Sequence, residues 1–307
     1  MKKSISLIML ILLIVLTACN SISKNKDQKS NTHNVAVNNN VNLDIVTTDK
    51  LLYTIVKTIV KDKHTINYMF KDRQSEINFK FTYDSLNNIS KKDLFIYVCP
   101  SFEIWVDDFI DKLDKSKVGI INSSRGVKLL AYNHPLKYKN ITVNENPYYF
   151  MDIDNYKIML VNIKNAVEDK DPKNRSFYEK IFSSELKNLQ SYESNLKSID
   201  ESLSDYKFII SNENLKYFTN YSKLELLDIA SSNNVLSSDD IKKEIDQNNS
   251  NNKIVFLYTD DSELNVNSEI LKTYGIKPVK LQMFNGNYSY ENTIKQNIKS
   301  LNSIISK

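Results

Sequence analysis

The stretch DLFIYVCPSFEIWVDDFIDKLDKSKVGIIN (93–122) carries three successive readings. DLFIYV (93–98) is an almost unbroken apolar run, the composition of a strand buried on both faces of a parallel sheet. FEIWVDDFIDKL (102–113) then spaces its apolar residues at helical intervals, and KVGIIN (117–122) returns to strand character. A strand, a helix and a second strand in this order make a β-α-β unit, and such units build parallel sheets flanked by helices. Outward from this unit the rhythm continues. LDIVTT (43–48) reads as a strand, Leu51 to Ile59 as a helix and HTINYMF (64–70) as another strand.

Downstream the pattern changes. Asp152 to Glu168 is helical, Asp171-Pro172 punctuates it, and apolar residues from Phe177 to Leu203 continue at helical spacing. About 28 residues at 1.5 Å each reach ~40 Å, the width of a domain. Afterwards strand readings fall on KFIIS (207–211), LELLDIA (224–230), KIVFLY (253–258) and PVKLQM (278–283). Helices fall on 239–245, opened by Ser237 or Ser238, on 262–274, stopped by Gly275, and on 289–306. The expected fold is α/β: two lobes, each a mostly parallel sheet flanked by helices, joined by one long helix. The expected boundaries are an N-terminal lobe over 42–172, the long helix over 173–203 and a C-terminal lobe over 204–307.

The beginning of the chain reads differently. Lys2 and Lys3 precede an apolar run from Ile5 to Leu16, which ends in Leu16-Thr17-Ala18-Cys19. A dozen apolar residues fall short of the ~20 needed to span a bilayer and match the core of a secretory signal. Residues 1–18 are expected to be a signal peptide. Leu-x-Ala-Cys resembles the lipobox of bacterial lipoproteins, which implies lipidation at Cys19 and attachment to the outer face of a membrane. Residues 19–41 are polar and rich in Asn, Lys and Ser, the composition of a flexible tether.

Composition removes several function classes. The net charge of +4 is small, and lysines alternate with acids, so no basic stripe points to nucleic acid. Beyond Cys19 only Cys99 remains, which excludes an internal disulfide and any paired-cysteine metal motif. Cys99 is expected to be a buried small hydrophobe at a strand end. Four glycines (119, 126, 275 and 286) provide no phosphate-binding loop and no nucleophile elbow. His33, His64 and His134 are too far apart for a histidine metal motif on one helix. No catalytic constellation emerges, and an enzyme is not expected.

Six segments, in order, resemble the solute-binding lipoproteins of zinc and manganese ABC importers, the cluster that includes the streptococcal adhesin lipoproteins. They are IVTTDKLLYTIVKTIVKDKHTINYMF (45–70), DLFIYVCPSFEIWVDDFI (93–110) with Glu103 and Trp105, and KVGIINSSRGVKLL (117–130). NPYYFMDIDNYKIMLVNIKNAVEDKDPKNRSFYEK (146–180) follows, with Asp171-Pro172, Asn174 and Tyr178 at the family's turn. FIISNENLKYF (208–218) and NYSYENTIKQNIKSL (287–301) complete the set. The resemblance implies a Zn or Mn cargo, a permease partner, an extracytoplasmic monomer and little lobe movement on binding.

The family's metal ligands are two histidines from the first lobe, and a His or Glu plus an acid from the second. The first falls on Ile77 or Asn78, the second on Tyr148, the third on Asn212 beside Glu213. The fourth falls on 285–287, around Gly286, where no carboxylate stands. His134 and Glu213 are the nearest replacement donors. Neutral Tyr and Asn are poor partners for a dication, so the resemblance implies an importer component with a degenerate metal site. The cleft is expected to be a neutral slot of Tyr148, Tyr149, Asn212 and Tyr258. The alternative is a surface lipoprotein without a transport role, serving adhesion, sensing or as a decoy.

Overall fold

The computed structural model describes residues 41–138, 140–248 and 253–305. The expected signal peptide, Cys19 and most of the expected tether, including His33, lie outside the described residues. Among those described, no helix is long and apolar enough to cross a membrane.

The first lobe opens with β1 (Asp44–Asp49), α1 (Lys50–Val60) and β2 (Thr65–Phe70). Asp49 ends the strand and caps the helix, its carboxylate accepting the Leu52 N–H at 2.9 Å. The short helices α2 (Arg73–Ile77) and α3 (Tyr83–Ser90) lead to β3 (Leu94–Tyr97), α4 (Val106–Lys112) and β4 (Gly119–Asn122). The sheet order is β2-β1-β3-β4, parallel throughout. The helix expected over 102–113 begins only at Val106, because 99–105 forms turns in which Glu103 binds the end of β3.

A hairpin of β5 (Ala131–Tyr138) and β6 (Ile141–Glu145) follows, for which the sequence gives no strand reading above. Pro135 sits inside β5, a position tolerated because the hairpin has only two strands and Pro can face an open edge. Then come α5 (Ile153–Lys170) and the long α6 (Arg175–Leu203).

The second lobe contains β7 (Lys207–Ile210), α7 (Lys216–Tyr221), the tiny strands β8 (Ser231–Ser232) and β9 (Val235–Leu236), and α8 (Ser238–Asn248). It continues with β10 (Ile254–Tyr258), α9 (Asp261–Thr273), β11 (Lys277–Lys280) and α10 (Tyr290–Ile305). Its sheet is β11-β10-β7, again parallel. The strand expected at 224–230 is reduced to one bridge, Leu226 to Phe208. Two backbone bonds, at 2.9 and 2.8 Å, tie Phe208 to Glu225 and Leu227; beyond them the chain leaves the sheet. Ser237 is the residue that caps α8, its Oγ accepting the Asp240 N–H.

The two sheets share one core. Ile45 and Ile96 of the first, and Phe208, Val255 and Leu257 of the second, belong to a single apolar cluster that also takes in α1, α5, α6 and α10. Each lobe adds its own outer layer, around Phe95 and Phe109 in the first and around Ile209 and Phe256 in the second. Cys99 is fully buried just past β3. Burial raises its thiol pKa well above the ordinary value, which suits a packing role.

Candidate functional site

Ligands of parallel α/β sheets sit beyond the carboxyl ends of the strands, and there β1, β2 and β3 deliver a group of charged side chains. β1 ends in Asp49. After β2, Asp72 caps α2 by accepting the Ser75 N–H at 2.8 Å. That single turn of helix sets Arg73 and Glu76 three residues apart on one face. Arg73 Nη1 donates to Glu76 Oε2 at 2.9 Å. Its guanidinium carbon lies 3.8 Å from the centre of the Phe102 ring, a cation–π geometry. Beyond β3, Glu103 is fully buried and accepts three hydrogen bonds, from Thr48 Oγ1 at 2.6 Å and from the N–H groups of Val98 and Cys99 at 2.8 and 2.9 Å.

The electrostatics follow from crowding acids around one cation. Burial, and then the Glu103 carboxylate, push the Glu76 pKa up. Burial also raises Glu103, against the pull of its three donors. Asp49 is lifted to about 6, again by burial. Burial disfavours the Arg73 charge, but Glu76, Tyr148 and Glu103 around it together offset this, so the guanidinium stays charged. Tyr148 lies next to it; burial raises the phenol pKa and Arg73 opposes that rise. Tyr132, on β5, is within electrostatic reach of Tyr148, Glu213 and Arg73, and burial drives its pKa up strongly.

Three polar atoms of this group have no hydrogen-bond partner among the described residues: Arg73 Nε, Glu76 Oε1 and the Tyr132 hydroxyl.

The residues singled out from the sequence divide. Tyr148 is half-buried, packed edge-on to Phe102 at 5.9 Å, and borders Arg73. Ile77 ends α2, half-buried; Asn78 is exposed and spends its amide on the Gln74 carbonyl at 3.0 Å. Asn212 turns elsewhere, capping Asn214 and donating to Glu263 Oε2 at 2.7 Å. Glu213 accepts the N–H groups of Asn133 and His134 at 2.8 and 3.3 Å, and Lys216 donates to it at 3.0 Å. It therefore clasps the β5–β6 hairpin to the second lobe. The His134 side chain is exposed. Gly286 is pressed against the first turn of α1, where a Cβ would stand 2.4 Å from the Lys50 carbonyl oxygen. Among the described residues, no three His, Cys, Asp or Glu side chains are grouped so as to hold a metal ion.

The neutral slot expected from the sequence is not what the fold builds. Tyr149 is fully buried, its hydroxyl 3.0 Å from Ser123 Oγ and bonded to the Val98 carbonyl. Tyr258 stacks on Phe256 in the outer layer of the second lobe. Tyr258 leaves the cleft because alternate residues of β10 face opposite layers, and Tyr149 because its 3-10 turn packs its ring into the shared core. The side chains that take their place are Arg73, Glu76 and Tyr132. The sequence offered one sign of this: Arg73 is one of only three arginines, and it follows a strand end.

The profile of the family described as zinc-uptake complex component A, periplasmic, matches residues 45–304. The chain belongs to this family. Among curated members, the manganese ABC transporter substrate-binding lipoprotein PsaA of Streptococcus pneumoniae is 28% identical over 235 residues, 71% of this chain and 69% of that one. The high-affinity zinc uptake system protein ZnuA of Bacillus subtilis is 22% identical over 194 residues, 61% of each chain. In three dimensions the zinc-uptake component fold recurs in the metal-dependent lipoprotein YcdH of Bacillus subtilis. The TM-score is 0.71 at 21% identity, over 85% of this chain and 98% of that one. FpvC of Pseudomonas aeruginosa, solved with Mn2+, gives 0.67 at 18%, over 87% and 99%.

Proposed function

We propose that this chain is the extracytoplasmic solute-binding lipoprotein of a metal-type ABC importer, held to the membrane through Cys19, and that its metal site is degenerate. Family membership supports the importer role, and the names of the zinc and manganese relatives supply the cargo class. The observation that carries the second half is the Arg73 guanidinium beside Tyr148, the residue at the family's second histidine position. A fixed positive charge at a few ångströms repels a dication, and among the described residues no three His, Cys, Asp or Glu side chains are grouped to hold one. The acids that remain are engaged: Glu76 with Arg73, Glu103 with backbone N–H groups, and Glu213 with the hairpin. Of the candidate ligands, Ile77, Asn78, Asn212 and Gly286 offer no donor suited to Zn or Mn.

The same observation gives weight to the second reading, a surface lipoprotein of this fold without a transport role. Cross-linking the full-length protein in its native membrane separates the two. The importer reading expects a polytopic permease to co-purify with the chain. Recovery without any permease, under conditions that capture a zinc-loaded relative with its own, contradicts it.

A further inference from the structure

We propose that the cleft takes a small carboxylate-bearing anion, bound on the free edge of the Arg73 guanidinium and against the Tyr132 hydroxyl. This rests on the reading that the site has lost its metal, and it names what the site holds instead.

The geometry is that of a donor set lacking its acceptor. Nη1 of Arg73 is spent on Glu76, and Nε–H lies on the opposite edge of the same plane with no partner. A guanidinium edge with a free Nε–H presents parallel donors matched to the two oxygens of a carboxylate. The Tyr132 hydroxyl is also unpartnered, and the residue is 94% buried, with only 6% of its surface exposed. Leaving such a group unsatisfied costs about 1–3 kcal/mol, so an orphan hydroxyl within electrostatic reach of an orphan guanidinium N–H calls for an explanation. Glu76 Oε1, on a side chain 99% buried, is the third orphan.

Glu76 also bears on the sign of the ligand. Burial and the neighbouring Glu103 favour its protonated form, in which Oε1–H is a donor. Arg73 Nε–H and the Tyr132 hydroxyl donate whatever the state of Glu76, and two unpartnered donors suit an anion. Arg73 keeps 26% of its side-chain surface exposed, but the orphan atoms themselves are closed to solvent, so a ligand reaches them as half-buried Tyr148 moves aside. The Phe102 ring beneath the guanidinium fixes its plane, so little rotamer freedom is lost on binding.

The test uses the detergent-solubilised full chain and fluoroacetate as probe, followed by 19F line broadening and displaced with acetate or inorganic phosphate. Wild type is expected to bind saturably and to release the probe to acetate. Losing a charge-assisted bond should weaken binding about 10- to 100-fold in Arg73→Gln. Tyr132→Phe should weaken it about 2- to 10-fold while raising, or at least not lowering, the ligand-free melting temperature, because the deleted hydroxyl is buried without a partner in the empty protein. A drop in that temperature would mark the hydroxyl as structural and overturn its role. No saturable binding, equal binding by Arg73→Gln, or displacement by phosphate but not acetate overturns the proposal. Tight zinc binding by the wild type is a different failure. It removes the premise of a lost metal site whatever the anion result.

Discussion

Arg73 stands among more acids than it can neutralise, and this has a consequence for pH. Asp49, Glu76 and Glu103 all have pKa values raised above those of exposed carboxyls, by burial first. A raised carboxyl pKa means the folded state binds more protons than the unfolded one. The contribution is therefore complete below the ordinary carboxyl range and is lost as pH rises through the folded-state values, about 6 for Asp49. The melting temperature should fall from pH 6 to pH 9. Glu76→Gln, which keeps the shape and the bond to Arg73 without a titrating proton, should flatten that fall. Superimposable wild-type and mutant curves would contradict the assignment. His64 works in the opposite sense. Burial lowers its pKa below the usual 6.5, so its contribution is lost as pH drops below 6.5, which touches only the acid edge of the Glu76 test window.

At the scale of elements, the corner between α5 and α6 is fixed by a buried relay. The Leu43 N–H donates to His64 Nδ1 at 3.3 Å, which leaves the proton on Nε2. Nε2 lies 2.7 Å from the Tyr178 hydroxyl, which donates in turn to Asp171 Oδ2 at 2.7 Å. Asn174 donates to the same oxygen at 2.8 Å. Tyr178→Phe breaks the relay in the middle and should cost about 1–3 kcal/mol, read by urea denaturation; an unchanged midpoint would show the relay to be idle. Gly286 locks the loop before α10 onto α1, with φ at +76° and no room for a methyl group. Gly286→Ala should cost about 1–3 kcal/mol, since the contact is backbone and cannot swing aside; a melting curve like the wild type's would contradict the tight fit.

These elements also explain what the sequence could tell. Periodicity located every long helix and the fully buried strands β3 and β10, because burial on both faces leaves unbroken apolar runs. Asp171-Pro172, Asn174 and Tyr178 were legible as a motif, though not as a relay through His64, which lies 114 positions before Tyr178. The β5–β6 hairpin was missed because Pro135 and scattered polar residues hide its alternation. Arg73, Glu76 and Tyr132 were missed for a related reason. They are brought within electrostatic reach of one another by the hairpin and a five-residue helix, and neither leaves a periodic trace.

For the molecule as a whole, the core shared by both sheets sets how far the lobes can move. Phe284 packs between Phe150 and Tyr156, and its N–H meets Met151 Sδ at 3.4 Å, so the second lobe is keyed into the first. Tyr217 accepts the Leu130 N–H at 2.6 Å, and Glu213 clasps the hairpin. Exposing even one such large apolar side chain costs about 1.5–3 kcal/mol, and the continuous α6 resists bending. X-ray scattering with and without a ligand should therefore show no large closure. A marked drop in radius of gyration would contradict this. The central claim is that the cleft no longer holds a dication, and a melting curve of the chelated full chain with and without micromolar zinc tests it most directly. A ligand at a hundred times its Kd adds about 2.7 kcal/mol, a shift easily seen. The account predicts superimposable curves, and a zinc-dependent rise that disappears on changing His134 would contradict it.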